Sequence, residues 1–159
     1  MNTRKFAMNY GAFLGAFLVF LAIIMKIFDI DEKASIIPSL LNNGATIIFI
    51  AYSIIQYKNI YLAGFISYGE SLKLGTTVAF FSSVILAFYS VLFISYIDTN
   101  AVNELLSIAE QAMLQSNPDI SEEELELYLE MTARFMQPHW VMIMGTLGGT
   151  FMGFIYSAI

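Results

Sequence analysis

Apolar residues along this chain fall into four long runs separated by shorter polar stretches. The runs cover about residues 6–28, 36–55, 74–97 and 138–159. Each comes close to or exceeds the ~20 residues an α-helix needs to cross a ~30 Å hydrocarbon layer. None carries an ionisable side chain near its middle. A string as β-branched as Thr46-Ile47-Ile48-Phe49-Ile50 is still expected to be helical. In lipid the backbone has no water to bond and must satisfy itself within the segment. The pattern therefore predicts an all-α fold: one domain, an integral membrane four-helix bundle.

The longest interruption, residues 98–137, has helical periodicity of its own and is predicted to form an extramembrane amphipathic hairpin. Val102, Leu105, Leu106, Ala109 and Met113 recur at helical spacing, with Asp98 or Thr99 as the expected N-cap. Pro118 breaks the chain. Ser121-Glu122-Glu123-Glu124 then spells a capping box, in which Ser121 bonds the amide three residues on and Glu124 reaches back. Leu125, Tyr128, Leu129, Thr132 and Met136 form an apolar stripe; Glu122, Glu126 and Glu130 form an acidic one. Each helix needs a cover for its apolar side: the other helix, the membrane surface or another protein. Leu105, Leu106, Leu125, Tyr128 and Leu129 are the candidate outer partner surface.

Residues 56–73 are expected to be an interfacial loop. Within it, Gly64 to Lys73 mixes apolar and polar residues too closely to span a membrane. Gly64 and Gly69 read as turn residues and Phe65 and Tyr68 as interfacial anchors. Ser67 or Ser71 is expected near the start of the third helix. Glu70 and Lys73, three apart, are placed to pair, or to meet a lipid headgroup or a cytoplasmic partner. Gly64, Phe65, Tyr68, Gly69, Glu70 and Lys73 form the candidate interaction loop.

Composition sharpens this picture. Only 13% of residues are charged, against about a quarter in a soluble chain. The net charge of −6 belongs mostly to one place, because nine of the thirteen acids lie between Asp98 and Glu130. No basic surface is available for nucleic acid, so that partner is not expected. With no cysteine there is no disulfide framework, thiolate metal site or cysteine nucleophile. Arg4 and Lys5 ahead of the first run resemble the start of a secretory leader. The run is too long for a leader's ~7–15 residue apolar core, however, and ends in Lys26, Asp29, Asp31, Glu32 and Lys33 without a small-residue cleavage site. A retained helix is expected.

Basic residues set orientation. Arg4, Lys5, Lys58 and Lys73 share a side with both termini if four helices cross; Lys26, Lys33 and Arg134 lie on the other. Both termini are expected in the cytoplasm and residues 98–137 in the periplasm.

The string Gly64-Phe65-Ile66-Ser67-Tyr68-Gly69-Glu70-Ser71-Leu72-Lys73-Leu74-Gly75 resembles the G-x-(I/F)-(S/T)-(F/Y)-G-x-(A/S)-(L/F)-x-x-G signature of bacterial domain-of-unknown-function family 4199. The basic N-terminus, the Gly-rich first and last helices and the acidic hairpin are similar to that family along most of the chain. The resemblance implies a bacterial inner-membrane protein without an assigned activity, and it transfers no catalytic or binding residue. Family members often carry a basic tail beyond the last helix; this sequence ends at Ile159.

Few residues suggest chemistry. Gly145, Gly149 and Gly153 repeat every four residues on the last helix, and Gly11 and Gly15 do so on the first. Such faces let backbones approach closely, either between the first and last helices of one bundle or against a partner or second copy. The hairpin glutamates lie along a helix side, whereas calcium needs six to eight converging oxygens; a solvated face is expected. His139, the lone histidine, stands with Trp140 at an interface and forms no catalytic constellation. Asn42 and Asn43 are expected to bond across helices. No cofactor or metal is expected.

The function expected from these features is a non-enzymatic accessory or scaffold subunit of a larger inner-membrane complex, in protein export or insertion or a membrane-bound glycosyltransferase system. Its expected partners are the lipid bilayer and other membrane subunits, with a homo-oligomer open. The alternative is a small oligomeric transporter or channel, with Asn42, Asn43, Thr46, Ser53, Ser82, Ser83, Thr146 and Thr150 as path residues.

Overall fold

Helices dominate because apolar segments of this length can close their backbone hydrogen bonds internally. A computed structural model describes residues 3–28 and 36–158. In chain order the helices are α1 (Thr3–Ile27), α2 (Ile37–Tyr61), α3 (Tyr68–Leu92), α4 (Ala101–Ser116), α5 (Glu122–Phe135) and α6 (Pro138–Ser157). A π-helical turn, Phe93–Ile97, extends α3. No strand occurs among the described residues. Four helices are long and apolar enough to cross a membrane: α1, α2, α3 with its π-turn, and α6. The connection at residues 29–35, with Asp29, Asp31, Glu32 and Lys33, lies outside the described residues, as does Ile159.

The helix limits differ from those read off hydropathy. α2 continues to Tyr61 and α3 starts at Tyr68, so the loop is six residues, Leu62 to Ser67, rather than 56–73. With its π-turn α3 has 30 residues, about 45 Å, some ten more than the hydrocarbon requires. The apolar stretches are shorter than the helices that contain them, because capped polar ends extend α3 beyond its apolar run. Pro138 opens α6, where its missing amide costs nothing.

The chain forms two compact units. The first comprises residues 1–86 and 145–159, the second residues 87–144. In the first unit, Phe6, Ala7, Leu14, Leu18, Ile50, Leu74, Val78 and Ala79 make the core. α1 runs antiparallel to α2 through ring contacts: Phe6 with Tyr57 and Tyr61, Tyr10 with Tyr52, and Phe17 with Phe49. The Thr3 and Tyr57 hydroxyls meet at 2.6 Å. Most apolar side chains face outward; only 11% of the most apolar stretch of α6 is buried. That surface suits lipid, which is as apolar as leucine.

In the second unit α4 and α5 pair as a hairpin. Ser121 caps α5: its hydroxyl accepts from the Glu124 amide at 3.3 Å, and its own amide donates to the Glu124 carboxylate at 3.2 Å. Asn100, rather than Asp98 or Thr99, is the N-cap of α4, and no side chain bonds there. The reason lies upstream. The Asp98 amide donates to the Phe93 carbonyl at 2.8 Å, so Asp98 closes the π-turn, and a further turn from Asp98 to Ala101 precedes α4.

Candidate functional site

The first candidate region is the seam along α3. Small residues let helices approach in lipid, where no hydrophobic drive holds them together. Gly11 and Gly15 of α1 pack against α3. A methyl group added at Gly11 would stand 2.6 Å from the Val78 carbonyl oxygen, and one at Gly15 would stand 2.8 Å from Ile85 Cβ. Gly149 and Gly153 of α6 pack on an adjacent α3 face, where a methyl at Gly149 would meet Ser83 Cβ at 2.5 Å and one at Gly153 would run into Ala79. The glycines of the first and last spans are therefore placed on α3, not on one another. Gly145 is exposed and Gly148 has open space around it.

α3 answers with its own small-residue repeat, Gly75, Ala79 and Ser83, spaced by four. A methyl at Gly75 would run into Ser157. This repeat was absent from the expectations above, although the four-residue spacing of Gly, Ala, Ser and then Ala87 is its signal. A hydroxyl reinforces the seam: that of Ser83 lies 3.0 Å from the Phe80 carbonyl of its own helix, 3.2 Å from the Thr146 carbonyl and 3.3 Å from the Thr150 hydroxyl, so its one proton finds acceptors on both helices. On α2, Asn43 accepts from the Tyr156 hydroxyl at 2.8 Å, the cross-helix bond expected of a half-buried amide.

Four of the hydroxyls named as path residues donate to carbonyls of their own helices. Thr46 donates to the Asn42 carbonyl, Ser53 to Ile50, Ser82 to Ala79 and Thr150 to Thr146. Among the described residues no buried side-chain polar atom lacks a partner.

The second candidate region is the Leu62–Ser67 turn and the start of α3. Ala63 and Gly64 both take positive φ, +49° and +89°, which turns the chain sharply. Gly69, expected as a turn residue, sits instead in the first turn of α3. Ser67 explains this. Its amide donates to the Glu70 carboxylate at 3.0 Å, its hydroxyl donates to the same oxygen at 2.8 Å, and that hydroxyl accepts from the Glu70 amide at 3.3 Å. This is a second capping box, Ser67-Tyr68-Gly69-Glu70, spelled like the one at Ser121. Glu70 thus turns back to Ser67 rather than forward to Lys73. Phe65 is 85% exposed, and the Tyr68 hydroxyl reaches the Ala158 carbonyl at 3.3 Å.

The third candidate region is the hairpin. Leu106, Leu125 and Leu129 are half-buried, while Leu105 and Tyr128 are exposed. α5 also bears a second, outer apolar stripe: Leu127, Met131 and Phe135, at four-residue spacing, are 58%, 52% and 49% exposed. At 100° per residue these lie far around the helix from Leu125 and Leu129. Glu130 pairs with Arg134 at 2.8 Å, an exposed i,i+4 pair of small energetic worth. Among the described residues no three His, Asp or Glu side chains converge as metal ligands. His139 is exposed, its ring 5.7 Å from that of Trp140.

The sharp turn, the cap and Gly75 together account for the physical role of much of the Gly64–Gly75 string. A comparison with protein-family models finds the family described as "Protein of unknown function (DUF4199)" over residues 9–159. The chain belongs to the DUF4199 family. That match includes the turn and cap, the α3 seam and the hairpin of this DUF4199 protein. No curated protein and no solved structure matches it.

Proposed function

We propose that this DUF4199 protein is a non-enzymatic accessory subunit of a larger assembly in a bacterial inner membrane. In this reading four helices cross as a bundle, both termini are cytoplasmic, and the α4–α5 hairpin stands in the periplasm. The observation that carries the reading is the outer stripe of α5. Neither α4 nor α5 buries a single residue, and Leu127 and Met131 are open although the inner stripe is already turned to a different side; Phe135, at the end of the stripe, meets the edge of the Trp140 ring at 5.7 Å. An apolar stripe on a second face of an acidic helix calls for a cover from outside the chain. The glycine faces are not that cover, because α3 occupies them.

The test is purification of the full chain at native level in gentle detergent, with and without Leu127→Ser and Met131→Ser. The expected result is a membrane protein that co-elutes in fixed ratio with the wild type and is lost from the double variant, whose helicity is unchanged. A lone monomer, or a partner held equally by both proteins, sinks the proposal. A particle containing only copies of this chain replaces the subunit reading with a homo-oligomer.

A further inference from the structure

A cleft of about 430 Å³ opens in the first unit, lined by Thr3 and Arg4 of α1 and by Lys73, Thr77, Phe80 and Phe81 of α3. Two of the six lining residues are basic and none is acidic. Its polarity is graded along the helix axis. Lys73 lies in the second turn of α3, Thr77 one turn further, and the two phenylalanines seven and eight residues beyond Lys73, about 10 Å deeper. Arg4 and Thr3 stand at the matching end of α1, which runs parallel to α3 through its Gly11 and Gly15 contacts. With α1 and α3 taken as spans, the cations sit at a helix end where a headgroup layer would lie, and the aromatic rings sit towards the apolar middle. Phe80 is 42% exposed and offers an open apolar wall.

We infer that this cleft binds an anionic phospholipid, with the phosphate between Arg4 and Lys73 and the first part of an acyl chain along Phe80 and Phe81. Charge complementarity selects the headgroup: a guanidinium forks onto phosphate oxygens, an ammonium adds a point charge, and the Thr3 and Thr77 hydroxyls line the same space. A basic pocket between membrane helices suits an anionic headgroup, and the aromatic floor requires that the phosphate carry an apolar tail. Thr77 already donates to the Lys73 carbonyl at 2.7 Å, which leaves its oxygen lone pairs and no free proton, so the two cations do the binding. The site does not depend on the hairpin partner proposed above.

Native mass spectrometry of the full chain, loaded with phosphatidylglycerol or phosphatidylcholine of matched acyl chains, tests this. The wild type is expected to retain phosphatidylglycerol selectively. R4Q and K73Q together should weaken retention about thirtyfold, roughly fivefold for each charge removed. K5Q with K58Q removes the same charge from the same end of the helices outside the cleft and should leave retention within about twofold. Equal retention of both lipids by the wild type, or equal loss in the two double variants, overturns the proposal. So does displacement of the lipid by millimolar inorganic phosphate, which would mark a free-anion site. If R4Q/K73Q does not fold, photoreactive phosphatidylglycerol on the wild type decides: labelling within residues 73–81 supports the cleft, and its absence there refutes it.

Discussion

Along α3, α1 and α6 lie so close that one added methyl group at Gly11, Gly15, Gly149 or Gly153 has nowhere to go; in the α4–α5 hairpin no residue is buried at all. The two regions show how differently one chain treats its apolar surface. Within lipid there is no hydrophobic drive between helices, so the seam has to earn its specificity from contact: small residues in register and a shared hydroxyl at Ser83. In the hairpin the same residue classes stand exposed, and α5 is held at its start by the Ser121 capping box. The seam is complete in itself. The hairpin keeps apolar side chains such as Leu127 and Met131 exposed.

The sharpest way to break this comparison is to overfill the seam. Gly153→Leu should cost about 3 kcal/mol or more, read as a loss of monodisperse protein or a large fall in unfolding midpoint in detergent. Gly148→Leu, five residues away on the same helix with nothing within 4 Å, should change stability by no more than about 0.5 kcal/mol. Equal effects would mean that the seam is not what holds α6. Next in size is the hairpin cap. Ser121→Ala removes the acceptor of the Glu124 amide and should cost α5 about 1 kcal/mol, seen as faster amide exchange confined to its first turns. Spread of that exchange to α3 and α6 would show that the hairpin and seam are not independent.

The smallest effect is at the second cap. Ser67→Ala removes the acceptor of the Glu70 amide and should cost the start of α3 about 0.5 kcal/mol, seen as faster amide exchange at Gly69 and Glu70. Unchanged exchange there would show that the Ser67 cap does not hold the end of the helix.

Much of this architecture was legible in the residues, because 20 consecutive apolar positions admit few alternatives to a membrane helix. The matched family covers nearly all of the chain, in line with the resemblance carried by Gly64–Gly75. What escaped did so for identifiable reasons. The polar ends of α2 and α3 contribute nothing to hydropathy, yet Ser67 and Glu70 extend the helix by capping it. The Gly75-Ala79-Ser83 repeat is hidden because only one of its members is a glycine, although all three are small enough to serve. The Leu127-Met131-Phe135 stripe is masked by the inner stripe, which alone satisfies an amphipathic helix. Cleft formation by Arg4 and Lys73 was beyond sequence pattern, since it needs the parallel pairing of α1 with α3 to bring residues 69 positions apart to one place.

The π-helical turn at Phe93–Ile97 also bears on how such a chain can vary. Its wider ring, closed by the Asp98 amide on the Phe93 carbonyl, holds one residue more than an α-turn does. Loss of a codon there restores ordinary α-geometry and leaves the preceding helix untouched. The same loss between Leu74 and Leu86 would rotate half of the seam by about 100°, turning Ala79 and Ser83 away from Gly153 and Gly149. Tolerance of length change along this span is thus confined to its last turn.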